Sequence, residues 1–139
     1  MFVFGSKSKE MLADVEPEML ELCERALKES HTDFSIICGY RSKDEQYLLY
    51  EQGLSELDGI MGISSHQVGY AVDILPYVID ENGSILDCWN YNNPKVRVAW
   101  LECYRAFLRV ARQMNLNLEL GLSYIINDTP DYPHIEIKD

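Results

Sequence analysis

The 139-residue sequence predicts a single α+β domain, with helices packed on a small antiparallel sheet. Three observations carry that expectation. Two long segments hold apolar residues at helical spacing, several short apolar runs lack it, and the length leaves no room for a second substantial core. Hydrophobic residues make up 47% of the chain and aromatics 11%, enough to bury a real core.

Pro17-Glu18 reads as the first turn of a helix running to about Ser30, with an apolar stripe of Leu20, Cys23 and Leu27 flanked by Met19 and Ala26. Asp33 to Cys38 (DFSIIC) reads as a buried strand. Ser42 and Glu45 have the spacing of a capping box, so a second helix is expected from Lys43 to about Gln52, stopped by Gly53. Arg41 then falls at a strand-to-helix junction. Ser55 to Ser65 reads as an irregular loop and Tyr70 to Leu75 as a second strand. Glu81-Asn82-Gly83-Ser84 has the composition of a hairpin tip, with Asn82-Gly83 supplying positive φ. The longest helix is expected from Lys95 to Met114, because Trp100, Tyr104, Phe107, Ala111 and Met114 recur on one face. Leu116 to Leu120 and His134 to Lys138 complete the sheet. No repeat or composition break marks a linker, so residues 1–139 are expected to form one domain.

Twelve basic residues against 23 acidic ones give a formal charge of −11, the wrong sign for a nucleic-acid or anionic-membrane partner. The four cysteines (Cys23, Cys38, Cys88, Cys103) show no CxxC pair and are read as buried free thiols, which suits a reducing cytoplasm. The first residues lack the apolar region of a secretory signal, and no stretch approaches the length of a membrane span.

The chain has three histidines, at 31, 66 and 134. His66 precedes Asp73 and Asp131 precedes His134, but in so acidic a chain these spacings alone carry little. Their surroundings carry more. In Ser64-Ser65-His66-Gln67-Val68-Gly69-Tyr70-Ala71-Val72-Asp73 the histidine lies in a loop and the aspartate inside an apolar strand, with Gly69 permitting a sharp turn between them. A carboxylate in an apolar strand is costly without a partner. Imidazole and carboxylate are both zinc ligands, and His134, opening another strand after Pro133, is the natural third. His31, in a turn, is not expected to ligate.

The block SxHxxGxAxD, followed near the C-terminus by DxPH, resembles the D-Ala-D-Ala metallopeptidase family. Within it the chain is most similar to phage endolysins that act as L-alanyl-D-glutamate endopeptidases. The likeness spans FGSKSKEMLADVEPEMLELCERAL, DFSIICGYRSKDEQ, SSHQVGYAVDILPYV and DYPHIEI. It implies a zinc peptidase domain with ligands His66, Asp73 and His134, Asp131 as general base, and Arg41 stabilising the oxyanion. It also implies that Ser64, and Gln46 near the GYRS stretch, lie on the substrate side. Glu136, on the same strand face as His134, is the rival for the base. The tryptophan-rich segment common in such endolysins is replaced here by Glu119 to Tyr124, which keeps one glycine and one aromatic.

The expected activity is therefore zinc-dependent hydrolysis of the peptidoglycan stem peptide, at the L-Ala–D-Glu bond. The alternatives are a D,D-carboxypeptidase or dipeptidase releasing D-Ala, and a zinc-retaining module that binds without catalysing. A monomer is expected, held in the host bacterium's cytoplasm until it reaches the wall.

Overall fold

Local signals set the helix ends. In a computed structural model of the chain, which describes residues 1–123, 125–126 and 129–138, α2 (Pro17–Glu29) starts on its proline and α3 (Lys43–Glu51) on the full Ser42–Glu45 capping box. Helix α4 (Pro94–Gln113) is capped by Asn93, whose side chain accepts from the Lys95 amide. Tyr124 of the substituted segment lies outside the described residues, as do the side chains of Ser123 and Thr129.

Four strands, β1 (Asp33–Cys38), β2 (Ala71–Tyr77), β3 (Asn117–Leu120) and β6 (His134–Lys138), form an antiparallel sheet in the order β1-β2-β6-β3. A separate two-residue ladder joins β4 (Ile125–Ile126) to β5 (Thr129–Pro130). The α+β expectation holds. One sheet face carries Phe34, Ile36, Val72, Ile74 and Ile135, all at most 3% exposed, and belongs to the core that also takes in α2 and α4. Phe34 meets Phe107 of α4 at 5.3 Å between ring centres. Truncating a ring so buried costs about 3–5 kcal/mol.

Several sequence expectations are corrected. The buried face of α2 is Met19, Leu22, Cys23, Ala26 and Leu27, at i, i+3, i+4, i+7 and i+8, whereas Leu20 is 36% exposed and turned outward. A short helix α1 (Ser6–Met11) was not anticipated, because it has neither a side-chain cap nor a long stripe. Tertiary contacts support it: the Ser8 hydroxyl accepts from the Ile36 amide, and neighbouring Phe4 and Leu12 enter the core. The expected 55–65 loop ends in a 3-10 helix, Ser65–Val68. Strand β2 continues through Pro76 to Tyr77. At the 81–84 turn only Gly83 has positive φ, and an isolated Ile79–Ile85 bridge replaces a full hairpin.

Among the described residues no helix is long and apolar enough to cross a membrane.

Candidate functional site

Strand register assembles the site. Asp73 pairs with His134 across β2 and β6, and on the other side Asp73 is opposite Cys38 of β1. The β1–β2 register shifts between Ile36 and Cys38, which brings Cys38 level with Asp73. Because side chains alternate, Val72, Ile74 and Ile135 enter the core while Asp73, His134 and Glu136 share the opposite face.

His66 arrives from the 3-10 helix. Ser64 caps that helix through the His66 amide, and the Gln67 side chain accepts from the Ser64 amide. Gly69 ends the helix at φ +79, and its carbonyl accepts from the Glu16 amide. The Arg41 amide donates to the His66 carbonyl, joining this helix to the β1–α3 connection.

The 131–134 segment is fixed from two sides. Tyr104 of α4 donates its hydroxyl hydrogen to the Tyr132 carbonyl at 2.7 Å, and the Asp131 amide donates to the Gly121 carbonyl at 3.1 Å. A Cβ at Gly121 would overlap the Asp131 carbonyl and come within 2.7 Å of the His134 Cβ, so only glycine fits beneath this segment. The one glycine retained from the substituted segment therefore has a packing reason.

The geometry of the imidazoles is specific. His66 Nδ1 lies 2.9 Å from the Gly39 carbonyl, so it carries the hydrogen and leaves the Nε2 lone pair facing Asp73 Oδ1 at 3.4 Å. His134 Nε2 lies 2.8 Å from Glu136 Oε1, so Nδ1 faces the same Asp73 oxygen, also at 3.4 Å. Three acceptors thus converge. Among the described residues Asp73 Oδ1 is buried without a hydrogen-bond partner, and 3.4 Å is too long for a good one. A tetrahedral ion bound at zinc-like lengths holds its ligand atoms about 3.3 Å apart. The donor types, and the distance of each imidazole nitrogen from Asp73 Oδ1, suit such an ion.

Without an ion, protons must relieve the cluster. Burial disfavours the charged form of both histidines, but the Asp73 carboxylate outweighs it, raising His66 to about 10 and His134 to about 9. For Asp73, burial acts upward while the two imidazoles draw its carboxyl well below the usual range.

Cys38 departs from the buried-thiol expectation. It is half-buried, whereas Cys23, Cys88 and Cys103 are buried; all four are free. Cys38, His66 and Asp73 form a group able to hold a metal ion, with one ligand atom from each lying within 4.8 Å of the others. The Cys38 sulfur also lies 3.8 Å from His66 Nδ1 and accepts from Arg41 Nη2 at 3.3 Å. Burial raises the Cys38 pKa, and the contacts with His66 and Arg41 bring it below the ordinary thiol value.

These groups open on a cleft of about 1040 Å³ lined also by Arg41, Ser64, Asp131 and Glu136. Burial, and then the charge of Asp73, lift the Asp131 carboxyl above its ordinary value. Glu136 is held low: burial raises it, but His134 and Lys138 outweigh that. Gln46 is fully buried, which sequence reading did not foresee for a substrate-side residue. Its carbonyl oxygen accepts from Arg41 Nη1 at 2.6 Å, and its amide donates to Ser55 Oγ and the Leu57 carbonyl. Ser64 is 5% exposed, its hydroxyl engaged in capping. His31 is exposed and does not line the cleft.

A family model described as phage L-alanyl-D-glutamate peptidase matches residues 1–138. The chain belongs to that family. It is 33% identical over 137 residues to the L-alanyl-D-glutamate peptidase of Escherichia phage T5, covering 99% of this chain and 90% of that one. Its fold is similar to the crystal structure of the Serratia marcescens L-Ala D-Glu endopeptidase ChiX. The TM-score is 0.74 and the identity 25%, over 97% of this chain and 89% of the other.

Proposed function

We propose that the chain is a zinc-dependent endopeptidase that hydrolyses the L-Ala–D-Glu bond of the peptidoglycan stem peptide, chemically akin to the D-Ala-D-Ala metallopeptidases. The observation that carries this reading is the convergence of His66 Nε2, Asp73 Oδ1 and His134 Nδ1 at 3.4 Å contacts in a cleft that also holds Arg41 and Asp131. Zinc, when bound by these three, supplies Lewis acidity toward water and the amide carbonyl.

The chain's own groups do the rest. Gly39 and Glu136 fix the imidazole tautomers, so both ligand nitrogens are presented as lone pairs. Asp131, which lines the cleft beside the ligand cluster, takes a proton from the attacking water and passes it to the leaving amine nitrogen. Arg41, braced by Gln46 and Cys38, stabilises the negative charge that develops on the carbonyl oxygen. The names of the two relatives favour this bond over release of D-Ala. In this reading the partner is cell-wall peptidoglycan, the enzyme works as a monomer, and it waits in the host cytoplasm before reaching the wall.

The test is incubation of zinc-loaded protein with isolated peptidoglycan, with new peptide ends identified by mass spectrometry. New D-Glu amino termini that disappear on chelation are expected. Free D-alanine would indicate the carboxypeptidase instead. Stoichiometric zinc with no new ends would overturn catalysis in favour of a binding module.

A further inference from the structure

The cleft extends past the reacting groups to a wall that the chemistry above does not use. Trp89, on the connection between β2 and α4, is 46% exposed and lines the cleft together with Tyr91 and Asp131. An exposed indole is informative when it is held in place, and this one is. Its backbone amide donates to Asp87 Oδ1 at 2.9 Å, and the next residue closes the turn on the Asp87 carbonyl. Its ring rests against buried Trp100, 6.2 Å between centres, and Trp100 Nε1 in turn donates to the Cys88 carbonyl. Tyr91 stacks on Tyr132 at 3.9 Å and 19°, which links the same wall to the residue beside Asp131. The same cleft is also lined by Leu54, Leu57, Ile63 and Val68, all exposed aliphatics.

The chemistry of the substrate says what belongs there. In peptidoglycan the nitrogen of L-Ala is acylated by the lactyl group of a muramoyl sugar. That sugar ring begins about two residue lengths, or roughly 7 Å, from the scissile carbonyl. A cleft of about 1040 Å³ is more than a dipeptide needs. The sugar, its carboxyl consumed in the amide, is neutral, so an acidic protein does not repel it. Its C–H face suits an indole, as the apolar body of an aromatic side chain suits any ring of matching size. The charge of −11, awkward for the carboxylate end of the stem peptide, is no obstacle at this end.

Resting on the peptidase reading above, we propose that Trp89, supported by Tyr91, forms a subsite for the N-acetylmuramoyl sugar attached to the L-Ala being cut. The enzyme is then selective for glycan-linked peptide over free peptide.

Two measurements test this. The first compares kcat/KM on a disaccharide-linked stem peptide with that on the same peptide carrying an N-acetyl group in place of the sugar, which keeps the amide and the charge. Wild type should prefer the glycan-linked form, and Trp89→Ala should cut that preference by roughly 5- to 10-fold, the scale of one aromatic contact. Trp89→Phe, which keeps a ring on Trp100, should restore part of it. Equal use of the two substrates by wild type, or an undiminished preference in Trp89→Ala, overturns the proposal. The second is calorimetric binding of N-acetylmuramoyl-L-alanine, which has no scissile bond, against N-acetyl-L-alanine. Saturable binding of the first alone, lost in Trp89→Ala, supports the subsite even if hydrolysis itself fails. Equal binding of both, or none, removes it while leaving the peptidase reading standing on its own test.

Discussion

Glu136 is the residue whose replacement separates two mechanisms most cleanly. Its Oε1 accepts from His134 Nε2 at 2.8 Å, on the side of the ring away from Asp73. That geometry directs His134 Nδ1 toward Asp73, and in the proposed reading toward the metal, and it argues against Glu136 as the base. A charge-assisted hydrogen bond contributes about 1.5–3 kcal/mol, against about 1 for a neutral one. Glu136→Gln keeps an acceptor but loses the charge, so the expected loss is about 1 kcal/mol, roughly five- to tenfold in zinc affinity. Glu136→Ala removes the acceptor and releases the tautomer, for which 10- to 100-fold is typical. The contacts of Lys138 with Glu136 and Glu119 are solvent-screened and should change little. Zinc affinity is read by competition with a chromophoric chelator, and kcat is read separately at saturating zinc. Weakened zinc with kcat largely retained is the expected outcome. Unchanged zinc affinity with turnover abolished would refute the reasoning and make Glu136 the base.

Asp131→Ala should retain zinc and lose nearly all turnover. In the wild type, zinc affinity should weaken as pH falls below about 9, because His66 and His134, raised to about 10 and about 9 in the metal-free cluster, take up protons that compete with the ion. Affinity independent of pH would count against these two imidazoles as ligands. Gln46→Leu removes a charge-assisted bond to Arg41 and two bonds to the 55–57 segment, leaving the Leu57 carbonyl short of a donor. The loss should be roughly 3 kcal/mol in denaturant unfolding, with kcat falling more than KM rises. Unfolding unchanged together with a purely KM effect would mean that Gln46 meets substrate after all.

The helix caps, the sheet strands, and the pairing of His66 with Asp73 were legible because their signals are local. Ser42 and Glu45 cap one turn, Pro17 opens another, and a carboxylate inside an apolar strand announces a partner whatever the fold. Leu20 misled because a stripe read at two or three positions does not fix a helix's rotation; the core on the other side does. Gln46 misled because its place in a motif says nothing of depth, and only the packing of the 55–57 segment over α3 buries it.

By itself the sequence determined which side chains are chemically able to hold a metal, move a proton or stabilise an oxyanion, since that follows from residue type. Tertiary structure decided which atoms of those side chains meet. The register of β2 against β6 sets Asp73 beside His134, and the shift in β1 brings Cys38 level with them. Gly39 and Glu136 choose the imidazole nitrogens. Those choices depend on strands far apart in the chain and on hydrogen bonds made only after the sheet has closed, so no window of sequence contains them.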